Sequence, residues 1–187
     1  MNKKLAAAVS GGAVLMLVLS GCSEQSDNKS SDWAKKVCDK WQPEYKKIEA
    51  ANADLKRVAT ESSKPDEVKQ TDSAAFQTMS EAFGSISLAL RDAGDPGGKD
   101  AKAAADAAAK GFDDTAKGYA ELKSKMDQLD AADQTKFAAG LQELSSGLEK
   151  VSADEKAARE KLKAGGLDQP MAEQKGCQAV APSPAQS

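Results

Sequence analysis

The sequence predicts an all-α protein, an antiparallel up-down-up-down four-helix bundle. Three observations predict it. Apolar residues recur at alternating three- and four-residue steps in four segments between residues 33 and 162, the period of a helix buried along one face. Short clusters of Gly, Pro, Ser and Asp separate these segments, suited to helical hairpins. Aromatic residues make up only 4% of the chain, and its wealth of Ala and Lys favours helix through intrinsic propensity.

The first helix is expected from about Trp33 to Thr60. Ala34, Trp41, Ile48 and Leu55 recur every seven residues, with Val37, Ala51 and Val58 beside them, and Asp32 is a plausible N-cap. Pro43 lacks a backbone donor and is expected to kink or divide this helix near Trp41. The second helix opens at Ser63-Lys64-Pro65, with proline just inside the start. Val68, Phe76, Met79, Phe83, Ile86 and Leu90 form its stripe, and Gly94-Asp95-Pro96-Gly97-Gly98 ends it. The third runs from about Lys99 to Leu129 along Ala101, Ala105, Ala108, Phe112, Thr115, Tyr119, Leu122, Met126 and Leu129. After Asp130-Ala131-Ala132-Asp133, with Asp133 as a cap, the fourth carries Phe137, Leu141, Leu144, Leu148, Val151, Ala158 and Leu162 and stops at Gly165-Gly166. Glu155 falls where an apolar residue is expected; it reads as a frayed end of the seam, with Lys36 or Lys40 as alternative partners.

Ahead of the helices, Lys3 and Lys4 precede an apolar stretch, Leu5 to Leu19, too short to span a bilayer, which takes about 20 apolar residues. Leu19-Ser20-Gly21-Cys22 follows. This stretch resembles the lipobox of bacterial lipoproteins. The resemblance implies cleavage before Cys22, a diacylglycerol thioether on that cysteine, and a lipid anchor on the extracytoplasmic face of the cell membrane. The expected organisation is a signal peptide at 1–21, a lipidated flexible tether at 22–32, the bundle at 33–177 and a disordered tail at 178–187. The polar run Ser23–Asp32 would reach roughly 17–19 Å as a coil. In signal, size and Ala/Lys-rich helices the chain also resembles small secreted lipoproteins of uncharacterised role from high-GC Gram-positive bacteria.

Removing residues 1–21 takes away two lysines and no acid, so 24 basic residues face 29 acidic ones and the net charge falls from −3 to −5. Such a surface argues against nucleic acid and against electrostatic attraction to anionic lipid. With Cys22 lipidated, Cys38 and Cys177 remain, an even pair in an exported chain, and a disulfide is expected. Two free thiols or a redox pair are the alternative, without the usual Cys-x-x-Cys spacing. The bridge would close a loop of about 140 residues and contribute at most about 5 kcal/mol. The bundle topology brings both cysteines to the pole that carries the lipid.

Glycine inside a helix costs about 1 kcal/mol against alanine. Gly111 and Gly118 stand seven apart on the third helix, and Gly140 and Gly147 seven apart on the fourth. These rows imply close packing of the two backbones, with Ala104, Ala107, Ala139 and Ser146 nearby, or a groove for a hydrophobic ligand.

Catalytic chemistry finds no residues. The sequence has no histidine, which removes Ser-His-Asp and Cys-His nucleophile systems and the usual zinc and di-iron sites. No phosphate-cradling glycine motif occurs. Asp113-Asp114, Asp127, Asp130 and Asp133 have helical spacing, unlike a calcium loop, and read as a solvated face. Glu121 with Lys125 and Asp106 with Lys110 are surface pairs. Trp33 and Trp41 share one helical face, as core or as an exposed aromatic patch. No catalytic residue, metal or cofactor is therefore expected. The expected role is a non-enzymatic binding module with an envelope protein or cell-wall component as partner; the alternative is a carrier for a hydrophobic small molecule or lipid between helices.

Overall fold

The computed structural model describes residues 23–178 except Glu61, with side-chain surroundings from Asn28 onward. The expected signal peptide, Cys22 and residues 179–187 lie outside them. The described residues are all-helical, without a strand. Four long helices pack together: α1 (Ser23–Val58), α2 (Pro65–Asp92), α3 (Lys99–Gln128) and α4 (Gln134–Ala164). Two short ones follow, α5 (Asp168–Ala172) and α6 (Lys175–Gln178).

α1 begins ten residues earlier than the apolar pattern indicates. It takes in Ser23–Asp32, whose polarity predicts a tether, so Asp32 is not a cap. No Gly or Pro interrupts this stretch, and extending a helix already anchored by buried Trp33 and Ala34 costs little. Ser30 Oγ also donates to the carbonyl of Pro96 at 2.7 Å, tying the stretch to the turn between α2 and α3. Nor does Pro43 divide α1, which is continuous through it. Pro43 is exposed, so the carbonyl that it leaves unbonded can be hydrated.

Pro65 occupies the first turn of α2, with Asp66 and Glu67 favourably placed against the helix dipole. The turn after α2 uses Gly97 and Gly98 at φ 90° and 91°, a region that residues with a Cβ rarely adopt. Asp133 caps α4, its side chain accepting from the Lys136 amide.

α2 packs against both α1 and α3, and α3 against α4; α5 and α6 return to α1. α1 and α4 do not approach closely along their backbones. The larger apolar core joins Trp33, Val37, Trp41 and Ile48 of α1 to Phe83, Ile86 and Leu90 of α2, Phe112 of α3, and Ala158 and Leu162 of α4. A smaller one joins Phe76, Leu122, Met126, Phe137, Leu144 and Val151. Leu55 and Tyr119 touch both. On α4 the expected stripe is narrower than its sequence suggests: Phe137, Leu144, Val151 and Ala158 are buried, Leu141 is half-buried and Leu148 is 37% exposed.

The α3–α4 contact is set by glycine. A Cβ on Gly111 would lie 2.8 Å from Ala158 Cβ and 3.3 Å from its Cα, and one on Gly118 would lie 2.5 Å from Val151 Cγ2. From the other side, Gly147 faces Leu122 and Gly140 faces Leu129. Gly165 faces Ala104. The other small residues expected here, Ala107, Ala139 and Ser146, are exposed and lie outside the contact. Gly84 of α2, by contrast, has open space where a Cβ would stand. Gly84→Ala should therefore stabilise the protein by up to about 1 kcal/mol through helix propensity. Gly111→Ala should destabilise it by about 1–3 kcal/mol, because it presses on α4 backbone. Thermal unfolding of the two variants beside the parent checks the opposite signs.

Candidate functional site

Cys38 and Cys177 form a disulfide, with Cα atoms 5.0 Å apart. Cys38 is fully buried on α1, and the bridge fixes the C-terminal segment to it. The close approach depends on Gly176, where a Cβ would lie 2.5 Å from the Cys38 carbonyl oxygen. α5 and α6 carry Cys177 back to α1. They are too short for hydrophobic periodicity to mark them.

Gly111, Gly118, Gly140 and Gly147 are all occupied by neighbouring side chains, as described above. Those contacts fill the space that a groove between α3 and α4 would need. Trp33 and Trp41 are 1% and 2% exposed, so they form no aromatic surface patch. Trp41 Nε1 donates to the Ile86 carbonyl at 3.0 Å. Trp33 Nε1 is the one buried side-chain nitrogen or oxygen left without a partner among the described residues.

Four aspartates of α3 are held in ion pairs. Asp113 pairs with Arg91, Asp114 with Lys110, and Asp127 with Lys123. Asp106 pairs with Lys102 instead of Lys110. Among the described residues no group of His, Cys, Asp or Glu is arranged to hold a metal ion.

Two features escape the sequence reading. Glu155 is no frayed end: it accepts from Arg159 at 2.8 Å, and Arg159 also bonds the Tyr45 hydroxyl and lies 5.0 Å over its ring. Burial pushes the Tyr45 phenol up to about 12 against the opposing pull of Arg159. Burial disfavours the charge of Arg159, but Tyr45 and Glu155 outweigh this and hold it protonated. This cluster joins α4 to α1 where their backbones stand apart. Its signal was an acid in an apolar register position with an arginine four residues on.

The second feature is a cavity of about 560 Å³ between the end of α1, the start of α2 and α4. Leu55, Val58, Ala59, Thr60, Val68, Asp72, Phe76, Leu141 and Leu148 line it. Asp72 lies four residues after Val68 and four before Phe76, on the buried stripe of α2. That spacing is the signal by which the sequence could have disclosed it. Burial alone pushes its carboxyl up to about 6.

The chain matches no protein-family model, no curated protein and no solved structure. No helix among the described residues is long and apolar enough to cross a membrane.

Two outcomes follow. Cys177→Ser should lower stability by about 2–5 kcal/mol under non-reducing conditions while leaving helix content intact, because the four long helices retain their cores. Denaturant melts followed by circular dichroism measure both. For Asp72, the folded-state value of about 6 lies above the ordinary 3.8. The folded chain thus binds the proton more tightly between these values, and stability falls as pH rises from about 4 to 6 and stays reduced above. Asp72→Asn should stabilise the protein at pH 7.5 by about 1 kcal/mol, a figure discounted because the group is partly hydrated. At pH 4 the gain should vanish, which paired melts at the two pH values check.

Proposed function

We propose that this chain is a lipoprotein held by lipid on Cys22 at the extracytoplasmic face of a bacterial membrane, where it acts by binding and not by catalysis. The observation that carries the reading is Leu19-Ser20-Gly21-Cys22, placed directly after two lysines and a short apolar segment. The Cys38–Cys177 disulfide supports it, since such bridges persist in oxidising compartments. A net charge of −5 without the signal segment leaves covalent lipid, not basic residues, as the attachment. A single acyl chain binds membranes marginally, whereas two hold stably.

The helices in this reading run up-down-up-down. Neighbouring pairs meet in opposing order, which supports it: Trp41 with Ile86 and Arg57 with Glu67 between α1 and α2, then Arg91 with Asp113 and Lys69 with Leu129 between α2 and α3. Gly111 with Ala158 and Gly140 with Leu129 follow between α3 and α4. Cys22 immediately precedes α1, so the anchor adjoins the end that carries the disulfide and the Ser30–Pro96 contact. The opposite end, where α1 stops and α2 starts, points away from the membrane and is available to an envelope protein or cell-wall component. The absence of histidine, which removes Ser-His-Asp and Cys-His nucleophile systems, supports a binding role.

Metabolic labelling with a fatty acid in a bacterial host that processes lipoproteins tests the anchor. The parent should incorporate label and sediment with membranes, and Cys22→Ala should lose the label and leave the membrane fraction. An unlabelled parent, or a labelled Cys22→Ala variant, contradicts the assignment.

A further inference from the structure

We propose that the cavity between the end of α1, the start of α2 and α4 binds a compact apolar molecule bearing a single protonated amine, with Asp72 as its counter-ion. The inference goes beyond the lipid-anchor reading and does not rest on it. At about 560 Å³ the cavity falls within the roughly 300–1,000 Å³ of small-molecule pockets, which are mostly apolar with a few placed polar groups. Leu55, Val58, Val68, Leu141 and Leu148 supply apolar wall around one ionisable side chain, Asp72.

The carboxylate selects the ligand. Burial is the sole cause of its raised value, and no cation of the described residues holds it. Arg57, on the same stretch of α1, is engaged by Asp54 and Glu67. At pH 7 a group titrating near 6 is still mostly ionised. A neutral apolar ligand would cover this charge without pairing it, at a desolvation cost, and an anionic amphiphile would meet repulsion. An ammonium group supplies charge-assisted hydrogen bonds to the carboxylate while its apolar body covers the leucines. The leucines themselves point to an occupant: Leu148, 37% exposed, lies on the rim with half-buried Leu141, where a closed bundle would have buried both against α1.

Chemical-shift titration of the full chain with 4-phenylbutylamine, and separately with the neutral 4-phenylbutan-1-ol, tests the proposal at pH 7.5. The amine should shift the resonances of Leu55, Val68, Phe76 and Leu141 and bind at least about tenfold more tightly than the alcohol. Asp72→Asn, which should fold at least as stably as the parent, should abolish that preference and leave alcohol binding unchanged. Equal affinities in the parent, a preference that survives Asp72→Asn, or no shift at these residues with millimolar amine would each overturn the assignment. So would shifts of the same residues that grow with protein concentration alone, which would give the surface to a second copy of the chain.

Discussion

The fold depends on a ladder of aromatic rings through its middle. Phe76 packs on Tyr119, Tyr119 stacks on Phe83 at 5.6 Å, and Phe83 on Phe112 at 6.2 Å. Trp41 meets Phe112 edge-on at 5.4 Å and Tyr45 at 5.9 Å. Six of the eight aromatic residues are thus joined across α1, α2 and α3, and Arg159 of α4 covers the last ring. Each aromatic pair contributes about 0.5–1.5 kcal/mol beyond its buried area, so a chain poor in aromatics concentrates much of its specific packing here. Trp41 further donates to Ile86 and Ser87 to the Ala109 carbonyl, so the buried polar groups along the ladder also fix which helices are neighbours.

Away from the ladder the packing is unequal. One end holds the disulfide, the buried Pro96 turn and α5 and α6 against α1. At the other, the smaller core draws on α2, α3 and α4, and α1 contributes only the edge of Leu55. The glycine rows account for part of this asymmetry. They draw α4 onto α3, which leaves its Leu141–Leu148 side without a backbone neighbour on α1. Arg159 then bridges the separation with a long polar side chain, and toward the end of α1 the same separation remains open above Asp72.

Much of this was legible in the sequence, because it depends on local signals. Asp133 as a cap, Pro65 in a first turn and the glycines after α2 are short-range chemistry. The apolar spacing of α3 is regular over its whole length. Cys38 and Cys177 could be paired because, with Cys22 assigned to lipid, they are the two cysteines that remain. Composition failed at Ser23–Asp32, since a solvated helix and a flexible tether share the same polar residues. Pro43 misled because its effect depends on whether it faces water. Glu155 and Arg159 answer to Tyr45, more than a hundred residues away, and Asp72 matters only because α1 and α4 leave a cavity over it. Such groups are assigned by which helices come together, and four amphipathic segments do not state that.

The ladder holds the middle of the bundle and the disulfide one end, while the opposite end, which bears the cavity, opens more readily. Native-state hydrogen exchange of the full chain tests this most directly, since local opening free energies range from near zero up to the global value. Amides of Phe83–Leu90 in α2 and Ala108–Thr115 in α3 should exchange only through global unfolding, and those of Asp54–Val58 in α1 and Phe137–Leu144 in α4 through a smaller opening. Uniform protection along all four helices, or slowest exchange in the first half of α4, would contradict the account.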